Sequence, residues 1–591
     1  MKLFRLVFLI AAMCVSFIPA HALDRHAFVF TNTTLQVSLD PATHTLAASG
    51  TVQAKNVSPQ SQRDIALQIS SSLSWQNISA GDDELSWVEA QYTSDIDHTG
   101  ALSEAIVHLP EPIAPGSSVT LNVRYSGELA SNTTRLTRIN TPEAVATRSD
   151  WDQLNPQFAA FRGIGYVAWY PIETEAVSLA NGSEVYDEVA AWVQRNPGAQ
   201  VQVTFTWPNG DEKSGILRIV SNGEPRSLST NAASNNASAK IVFKGADVPV
   251  VVLAPFATLD RESSTVFHLP QRDSLAKDYA LAVERDIPVL EDWFGKPRRK
   301  VVIVELTSAT ALPFQVGSYL FAPLQQMPAG AADAAVARTL VHACFSSPRP
   351  WIMEGLATFA QALIREHELG RRAALAYLNR FGDALAAADR PGATLPPTQV
   401  EDEPVRHEAS AAIAPQPLTQ TNDDLFIHAK AAFVWWMLRD MLGDTALRSA
   451  IAAYKPADDH EPSYMQHILE TRFTNKRSLE QFFDDWVYRD RGLPDFRIES
   501  VSMRQKLAGE HVVAVTVENL GKVWAEVPVV LQSKDGERSA RVVVPAHERA
   551  TVRISVPVVP TKAVVNDGSV PESDVTNNAA SIETSSQPGK P

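Results

Sequence analysis

The sequence predicts a multidomain α+β protein: a β-rich amino-terminal part, a mixed and largely helical middle, and a carboxy-terminal β-sandwich. Three observations predict it. The chain has 591 residues, enough for several domains at roughly 100–200 residues each. Apolar and polar residues alternate in short runs near both ends of the chain, as in half-buried strands. In the segments that follow Ala331, apolar residues recur instead with the helical period of about 3.6.

Residues 1–22, MKLFRLVFLIAAMCVSFIPAHA, combine Lys2 and Arg5 with an apolar stretch and a small-x-small site that ends at Ala22. This pattern is typical of a secretory signal peptide. We therefore expect a mature chain that begins at Leu23 and is exported, to a periplasm or out of the cell. No later stretch reaches the roughly 20 uninterrupted apolar residues of a membrane helix. We expect no integral membrane protein once the signal is removed.

Charge and cysteine content exclude further classes. Lys and Arg total 52 against 67 Asp and Glu, a net charge of −15, and no basic run stands out, so no nucleic-acid partner is expected. Cys14 lies in the predicted signal peptide, which leaves Cys344 as the one cysteine of the mature chain. Because no internal disulfide can form, the domains have to be stabilised by buried apolar side chains.

Residues 23–255 predict an antiparallel β domain. Runs such as TLQVSLD, SVTLNVRYSG and AQVQVTFTW alternate apolar with polar residues and are separated by Pro, Gly, Asn and Asp. The aromatic passage from Trp151 to Pro171 contains a Gly-x-Gly, but it lacks the βαβ pattern of a dinucleotide site. We expect the aromatic side chains of this passage to pack between domains.

Residues 256–495 predict a mixed domain. A helix over Ser274–Phe294 precedes the strand KVVIVEL, and from Ala331 onward several segments place apolar residues at i, i+3, i+4 and i+7, which predicts a helical bundle. A Pro-, Glu- and Thr-rich stretch at 390–424 has no apolar stripe and is expected to be a surface loop.

Strands return in residues 496–585, in runs such as HVVAVTVEN and RSARVVVP. Their spacing favours a β-sandwich of the Ig-like kind. Residues 586–591 are expected to form a disordered tail.

Residues 338–363, RTLVHACFSSPRPWIMEGLATFAQAL, are the most informative of the chain. The part from Trp351 to Phe359 resembles the W-x-x-E-G-x-A-T-Y/F segment of the aminopeptidase N family of gluzincin zinc metallopeptidases. In that family this segment supplies a Glu ligand, and the preceding helix supplies two His ligands and a Glu general base. The resemblance implies a thermolysin-like α/β domain, a zinc cofactor and aminopeptidase activity.

The resemblance places His342 and Glu354 at two ligand positions, so both are candidate metal ligands. Arg338 stands where the first ligand His would be, and Thr339 where the catalytic Glu would be. A catalytic zinc needs three protein ligands and a carboxylate that accepts a proton from the bound water. Because Thr339 has no carboxylate and Arg338 is a permanent cation, we expect that zinc is not bound and that the family mechanism is lost.

Two further segments extend the resemblance. Residues 426–432, FIHAKAA, correspond to a Y-x-K segment of the family and place His428 in the position of a transition-state Tyr. Residues 312–320, LPFQVGSYL, stand where the family binds the amino terminus of its substrate. Gln315 and Gly317 are the candidate substrate-binding residues there, and the acidic group of the family's motif is missing.

One interpretation is a pseudoenzyme that binds a peptide or a protein in the former cleft. Positions 338 and 342 lie on one helix face, so the guanidinium of Arg338 is expected to pair with Glu354 by two-pronged hydrogen bonding. His342 and Glu354 would then remain as a buried hydrogen-bonded pair rather than as metal ligands.

Two other interpretations stay open. An active zinc metallo-aminopeptidase would have to recruit non-standard ligands, such as His428, Glu366, Asp423 or Asp424. A purely structural or adhesive envelope protein would have its cleft filled by side chains.

Overall fold

The computed structural model describes residues 23–70, 72–92, 102–129, 153–161, 169–173, 195, 198–209, 215–231, 235–244, 249–309, 311, 313–326, 331–389, 417–421, 425–472, 476–505 and 510–582. The predicted signal peptide, most of the predicted loop at 390–424 and the predicted tail at 586–591 lie outside these ranges.

The amino-terminal part is built of strands. They are β1 (Phe28–Asp40), β2 (Thr45–Asn56), β3 (Gln62–Ser70), β4 (Leu73–Ala80), β5 (Asp83–Glu84), β6 (Trp87–Tyr92), β7 (Leu102–Ile113), β8 (Ser118–Glu128), β9 (Gln153–Asn155), β10 (Phe158–Phe161), β11 (Gln200–Pro208), β12 (Arg218–Ser221), β13 (Glu224–Asn231), β14 (Asn236–Lys244) and β15 (Val251–Ala254). They form an eight-stranded sheet, β13-β14-β11-β1-β2-β8-β4-β5, a three-stranded sheet, β3-β7-β6, and a four-stranded sheet, β12-β15-β10-β9.

The strand pairing corrects the prediction of a purely antiparallel domain. Strands β1 and β11 pair in parallel, with Asn32 opposite Gln200, whereas the other pairs of this sheet are antiparallel. The long stretch of chain between β1 and β11 makes this possible, because only strands joined by a tight turn have to be antiparallel.

The aromatic passage also packs differently from the prediction. Trp169 is buried in the core of the amino-terminal sheets, where its ring lies 5.2 Å from that of Phe205 and its carbonyl accepts a hydrogen bond from the Tyr125 hydroxyl at 2.8 Å. It therefore packs within the domain and not between domains. Phe158 does reach across, since it shares an apolar cluster with Val304 of the following sheet.

The middle of the chain opens with a second kind of sheet. Its elements are β16 (Ala257–Asp260), β17 (Ser264–His268), α1 (Asp273–Phe294), β18 (Val301–Glu305), β19 (Phe314–Val316) and β20 (Tyr319–Ala322). The order is β16-β17-β18-β20-β19, with the three central strands parallel and the two edge strands antiparallel. Helix α1 is the predicted helix and connects two parallel strands, as a βαβ crossover requires.

The helices that follow confirm the period of 3.6. They are α2 (Ala331–Cys344), α3 (Pro350–Leu369), α4 (Arg371–Asn379), α5 (Gly382–Ala388), α6 (Ala431–Leu442), α7 (Asp444–Ala453), α8 (Tyr464–Glu470) and α9 (Lys476–Phe483), with a 3₁₀ turn at Pro456–Asp458. Two stretches have π-helical geometry instead: π1 (Leu425–Lys430) leads into α6, and π2 (Asp484–Tyr488) follows α9. Such turns have i→i+5 hydrogen bonds and occur often at functional sites.

The carboxy-terminal strands are β21 (Phe496–Gln505), β22 (His511–Asn519), β23 (Ala525–Ser533), β24 (Gly536–Val544), β25 (Arg549–Val556), β26 (Lys562–Val565) and β27 (Ala579–Ser581). They form two sheets, β21-β22-β25 and β24-β23-β26-β27.

These two sheets share one apolar core with the helices. The Trp486 indole of π2 donates a hydrogen bond to the carbonyl of Trp524 at 3.1 Å. Asp440 of α6 accepts two hydrogen bonds from Arg371, at 2.9 and 2.7 Å, and one from Arg541 of β24 at 3.2 Å. The sheets are therefore packed onto the helices by both apolar and ionic contacts.

Candidate functional site

Helices α2 and α3 bring Arg338, His342 and Glu354 together. Residues 345–349 connect them, and such a short connection makes consecutive helices antiparallel neighbours. Pro350 is the first residue of α3, where its fixed φ and missing N–H are favourable. Because His342 lies near the end of α2 and Glu354 near the start of α3, the two side chains face each other across the helix pair.

Arg338 and Glu354 are in contact as expected, through a hydrogen bond from one guanidinium nitrogen, and the two-pronged geometry stays a prediction. Nη2 of Arg338 donates to Oε2 of Glu354 at 2.6 Å, and the two side chains are 15% and 21% exposed. The distance is typical of a charge-assisted hydrogen bond. A permanent cation therefore neutralises the carboxylate in a site that solvent can still reach.

His342 lies against the same carboxylate. Its buried Nε2 is 3.3 Å from Oε1 of Glu354. The two side chains are therefore in contact as expected, and the hydrogen bond between them stays a prediction.

His428 completes the group from a third element. The side chain lies on π1, and Nη2 of Arg338 is 3.0 Å from Nδ1 and 3.1 Å from Nε2 of the ring. Nδ1 is also 3.8 Å from Oε2 of Glu354. We call Arg338, His342, Glu354 and His428 the Arg338 cluster.

The cluster depends on a close approach of α3 to α6, the helix that continues π1. A Cβ added to Gly355 would lie 2.6 Å from Cβ of Ala431 and 3.1 Å from Trp435. No other residue type fits there without displacing one of the helices. The glycine next to Glu354 thus sets the separation between this carboxylate and the π-helical turn that carries His428.

The electrostatics of the cluster favour an ionised carboxylate. Burial by itself raises the pKa of Glu354, but nearby His342 and Arg338, and more weakly His428, hold it well below its usual range. Arg338 is the contributor that keeps its charge at every accessible pH. The carboxylate therefore stays negative and paired rather than acting as a general base near neutral pH.

The other predicted site residues lie as follows. Thr339 is fully buried in α2, and its hydroxyl has no hydrogen-bond partner within the part of the chain that the structure describes. Gln315 is the central residue of the edge strand β19, and its Nε2 donates to the carbonyl of Gly317 at 3.1 Å. Gly317 has φ +53°, which suits the tight turn between β19 and β20. The roles assigned to these three residues stay predictions.

Of the proposed non-standard ligands, His428 lies in the cluster and Glu366 does not. Glu366 lies twelve residues beyond Glu354 on α3, about 18 Å along the axis, and is paired with Arg439. Asp423 and Asp424 lie outside the described residues. Among the residues described, no three His, Cys, Asp or Glu side chains are grouped so as to hold a metal ion.

The donor set of the cluster does not fit zinc. A divalent ion on the Glu354 carboxylate would stand within roughly 4 Å of the Arg338 guanidinium, and the repulsion at an effective dielectric constant of 20 is about 8 kcal/mol. Nη2 of Arg338 lies on Oε2 of the carboxylate, so His342 and Glu354 do not form an open pair of ligands in this arrangement. The contacts within the cluster are hydrogen bonds and charge pairs.

Sequence reasoning missed the contact between His428 and Arg338, which lie 90 positions apart. It also missed the contact of Lys430, the buried lysine of the Y-x-K segment, with Asp490. A signal for both was present: His428 and Lys430 stand in an otherwise apolar run, LFIHAKAAFVWW, where polar side chains have to find buried partners.

Comparison with known proteins identifies similar solved structures only. No family model matches the chain, and no curated protein matches it. A mutant of the M1 zinc metallopeptidase from Deinococcus radiodurans has 15% sequence identity and a TM-score of 0.48, over 80% of this chain and 97% of that one. The unmutated enzyme gives 14% and 0.48, over 79% and 95%. A two-domain M1 zinc metallopeptidase mutant bound to L-tryptophan gives 14% and 0.47, over 80% and 97%.

Proposed function

We propose that this chain is an exported, aminopeptidase-like protein that has lost zinc-dependent catalysis and binds a peptide or a protein segment at the Arg338 cluster. The carboxy-terminal sheets are proposed to be an Ig-like module that enlarges the surface around this site. Within the described residues, no helix combines the length and apolar character needed to cross a membrane.

One observation supports the loss of catalysis above all others. The guanidinium of Arg338 is hydrogen-bonded to Glu354, the residue that the sequence resemblance assigns as a zinc ligand. A guanidinium has no open coordination position and cannot activate water. Thr339 next to it has no carboxylate, so the general base is missing as well.

The binding role is supported by charge and exposure. Each side chain of the Arg338 cluster keeps between 9% and 21% of its surface exposed. A ligand can therefore reach hydrogen-bond donors and acceptors, and both a positive and a negative charge. A peptide backbone presents matching N–H and C=O groups. Such a site can hold a segment in place without changing it.

Metal content and hydrolysis test the proposal. The mature protein is dialysed against zinc, its bound metal is measured, and cleavage of aminoacyl arylamides is followed with and without a chelator. We expect no tightly held zinc and no chelator-sensitive cleavage. The double variant Arg338→His/Thr339→Glu restores both missing groups and is expected to hold about one equivalent of zinc; Arg338→Gln/Thr339→Glu is the matched control that lacks the new ligand.

Peptide binding is measured separately, by fluorescence anisotropy with short labelled synthetic peptides. We expect binding by the unaltered protein and at least about tenfold weaker binding by Glu354→Gln, since a charge-assisted hydrogen bond is worth about 1.5 kcal/mol or more. Equal affinities for both proteins, or no binding at all, would contradict the binding role.

The second candidate function is an active zinc metallo-aminopeptidase with non-standard ligands. The position of His428, 3.8 Å from Glu354, favours it, because two imidazoles and a carboxylate then stand close together. One equivalent of tightly held zinc in the unaltered protein, together with chelator-sensitive cleavage, would establish this alternative and overturn the first proposal.

A further inference from the structure

A buried ion pair holds the side of π1 that faces away from the Arg338 cluster. Nζ of Lys430 donates to Oδ1 of Asp490 at 2.9 Å, and the two side chains are only 3% and 5% exposed. Lys430 is the last residue of π1 and follows His428 by two positions. Since positions i and i+2 of a helix point in different directions, His428 meets Arg338 while Lys430 meets Asp490.

Asp490 is fixed by the segment that leads into the carboxy-terminal sheets. It follows π2 by two residues, and its Oδ1 also accepts a hydrogen bond from the backbone N–H of Gly492 at 3.1 Å. Gly492 has φ +97°, and a Cβ at this residue would lie 3.1 Å from the side chain of Lys522. The turn after Asp490 therefore lies directly against the connection between β22 and β23 of the carboxy-terminal part.

The two π-helices are thus connected. π1 carries His428 of the cluster, and π2 carries Trp486, which is hydrogen-bonded to Trp524 of the carboxy-terminal part. The ion pair Lys430–Asp490 is a direct contact between the end of one π-helix and the residues that follow the other.

The cost of such a pair indicates what it does. Two charges taken out of water lose hydration that their mutual attraction repays only in part, and apolar side chains of the same size would pack there without this loss. A buried pair can, however, fix one arrangement over others, since any shift that separates the partners leaves two unpaired charges. A π-helical turn could be replaced by an ordinary α-helix through a change of register. A buried ion pair that fixes one arrangement would therefore matter for such a segment.

We propose that the Lys430–Asp490 pair sets the register of π1 and thereby holds His428 against Arg338, so that the arrangement of the cluster depends on this one contact with the segment that leads into the carboxy-terminal sheets. Lys430 and Asp490 are positioning residues, which act through π1. The inference rests on the proposed function only in taking His428 as part of the binding site.

Nuclear magnetic resonance of the mature full-length protein with isotope-labelled histidine tests this. The variants are Lys430→Met, Asp490→Asn and the double variant Lys430→Met/Asp490→Asn, in which no lone buried charge remains. The ring signals of His428 are identified by their loss in His428→Gln. We expect these signals to shift in all three variants, while those of His108, on β7 of the amino-terminal part, stay in place.

Arg541→Met is the matched control. It removes another ion pair between the helices and the carboxy-terminal strands, the 3.2 Å contact with Asp440, but it leaves π1 untouched, so the His428 signals should not move. Lys430→Arg keeps the charge and shifts its position; a smaller displacement of the same signals is expected. This variant also supplies the test if the neutral pair does not fold.

Unshifted His428 signals in the folded double variant, or in Lys430→Arg, would overturn the proposal and leave the pair a purely structural contact. An equal shift in Arg541→Met would overturn it too, because the effect would then not be specific to π1. The measurement needs no peptide, so a failure of the proposed binding function would be recognised separately.

Discussion

The Arg338–Glu354 contact should be measurable as a coupling between the two side chains. Two unit charges about 4 Å apart attract by about 4 kcal/mol at an effective dielectric constant of 20. The side chains are 15% and 21% exposed, so solvent screening reduces this value, and breaking the pair also leaves the partner with unmet hydrogen bonds. We expect a coupling free energy of about 2 kcal/mol between Arg338→Met and Glu354→Gln, between the values for exposed and for buried pairs.

The assay is a double-mutant cycle. The free energy of unfolding in urea is determined for the unaltered protein, both single variants and the double variant, with tryptophan fluorescence as the signal, because Trp351 and Trp435 are buried in the helices around the cluster. The single variants should each be destabilised, and the double variant by clearly less than the sum.

A surface ion pair provides the control and the pH dependence a second check. Lys300 and Asp260 are 2.8 Å apart but 42% and 64% exposed, and Lys300→Met with Asp260→Asn should show no measurable coupling.

The folded-state pKa of Glu354 is lowered, so the contribution of this carboxylate to the free energy of unfolding is complete above the usual pKa of about 4.3 and decreases as the pH falls below it. A coupling below about 0.5 kcal/mol at pH 7 would refute the pairing.

Three further predictions concern the frame around the site. Gly355→Ala should lower the free energy of unfolding in urea by about 2 kcal/mol, because its Cβ would overlap Ala431. Gly382→Ala is the control and should be neutral or slightly stabilising, because the nearest neighbour of its Cβ is 3.7 Å away. Equal losses in the two variants would contradict the close approach of the helices at Gly355. Burial raises the pKa of Glu572 to about 7, so the folded state binds the proton of this carboxyl more tightly than the unfolded state does. The free energy of unfolding should therefore fall by on the order of 3 kcal/mol between pH 5 and 8. The same pH slope for Glu572→Gln in urea unfolding would contradict this. A chain that ends at Asp495 should lose its sharp thermal transition and be cut rapidly by protease, because the helices share their core with the removed sheets; a cooperative transition at the original temperature would show that the helices fold alone.

Local information was sufficient for the pairing of Arg338 with Glu354. The spacing of four residues puts Arg338 and His342 on one helix face, and the short connection before Pro350 leaves α3 only one place to pack. The distance between the side chains of Arg338 and Glu354 is therefore determined within 17 consecutive residues. The hydrogen bond of His342 could not be predicted in the same way, because the alignment of its ring depends on side-chain angles that spacing does not determine.

Non-local features could not be predicted in this way. The parallel pairing of β1 with β11 follows from sheet topology. The alternation of apolar and polar residues around Val37 and Phe205 does not indicate it, because the period of two is the same in parallel and antiparallel sheets. The π-helical turn that carries His428 has no periodic signature of its own, and counting by 3.6 assigns its residues to the wrong faces. A buried polar residue in an apolar run was the one usable signal.

The proposed exchange of a metal ion for a guanidinium would explain how such a site can keep its architecture while its chemistry changes. Glu354 needs a cation beside it, since an unpaired carboxylate in this partly buried position would cost several kcal/mol. Arg338, on the preceding helix α2, supplies this cation through a hydrogen bond of 2.6 Å. The pair of helices α2 and α3 therefore stays stable without a bound ion. What a guanidinium cannot supply is an open coordination position or a lowered pKa for bound water. Under the proposed function, hydrolysis is expected only with both substitutions of the double variant Arg338→His/Thr339→Glu, because Arg338→His alone would supply the ligand but not the general base.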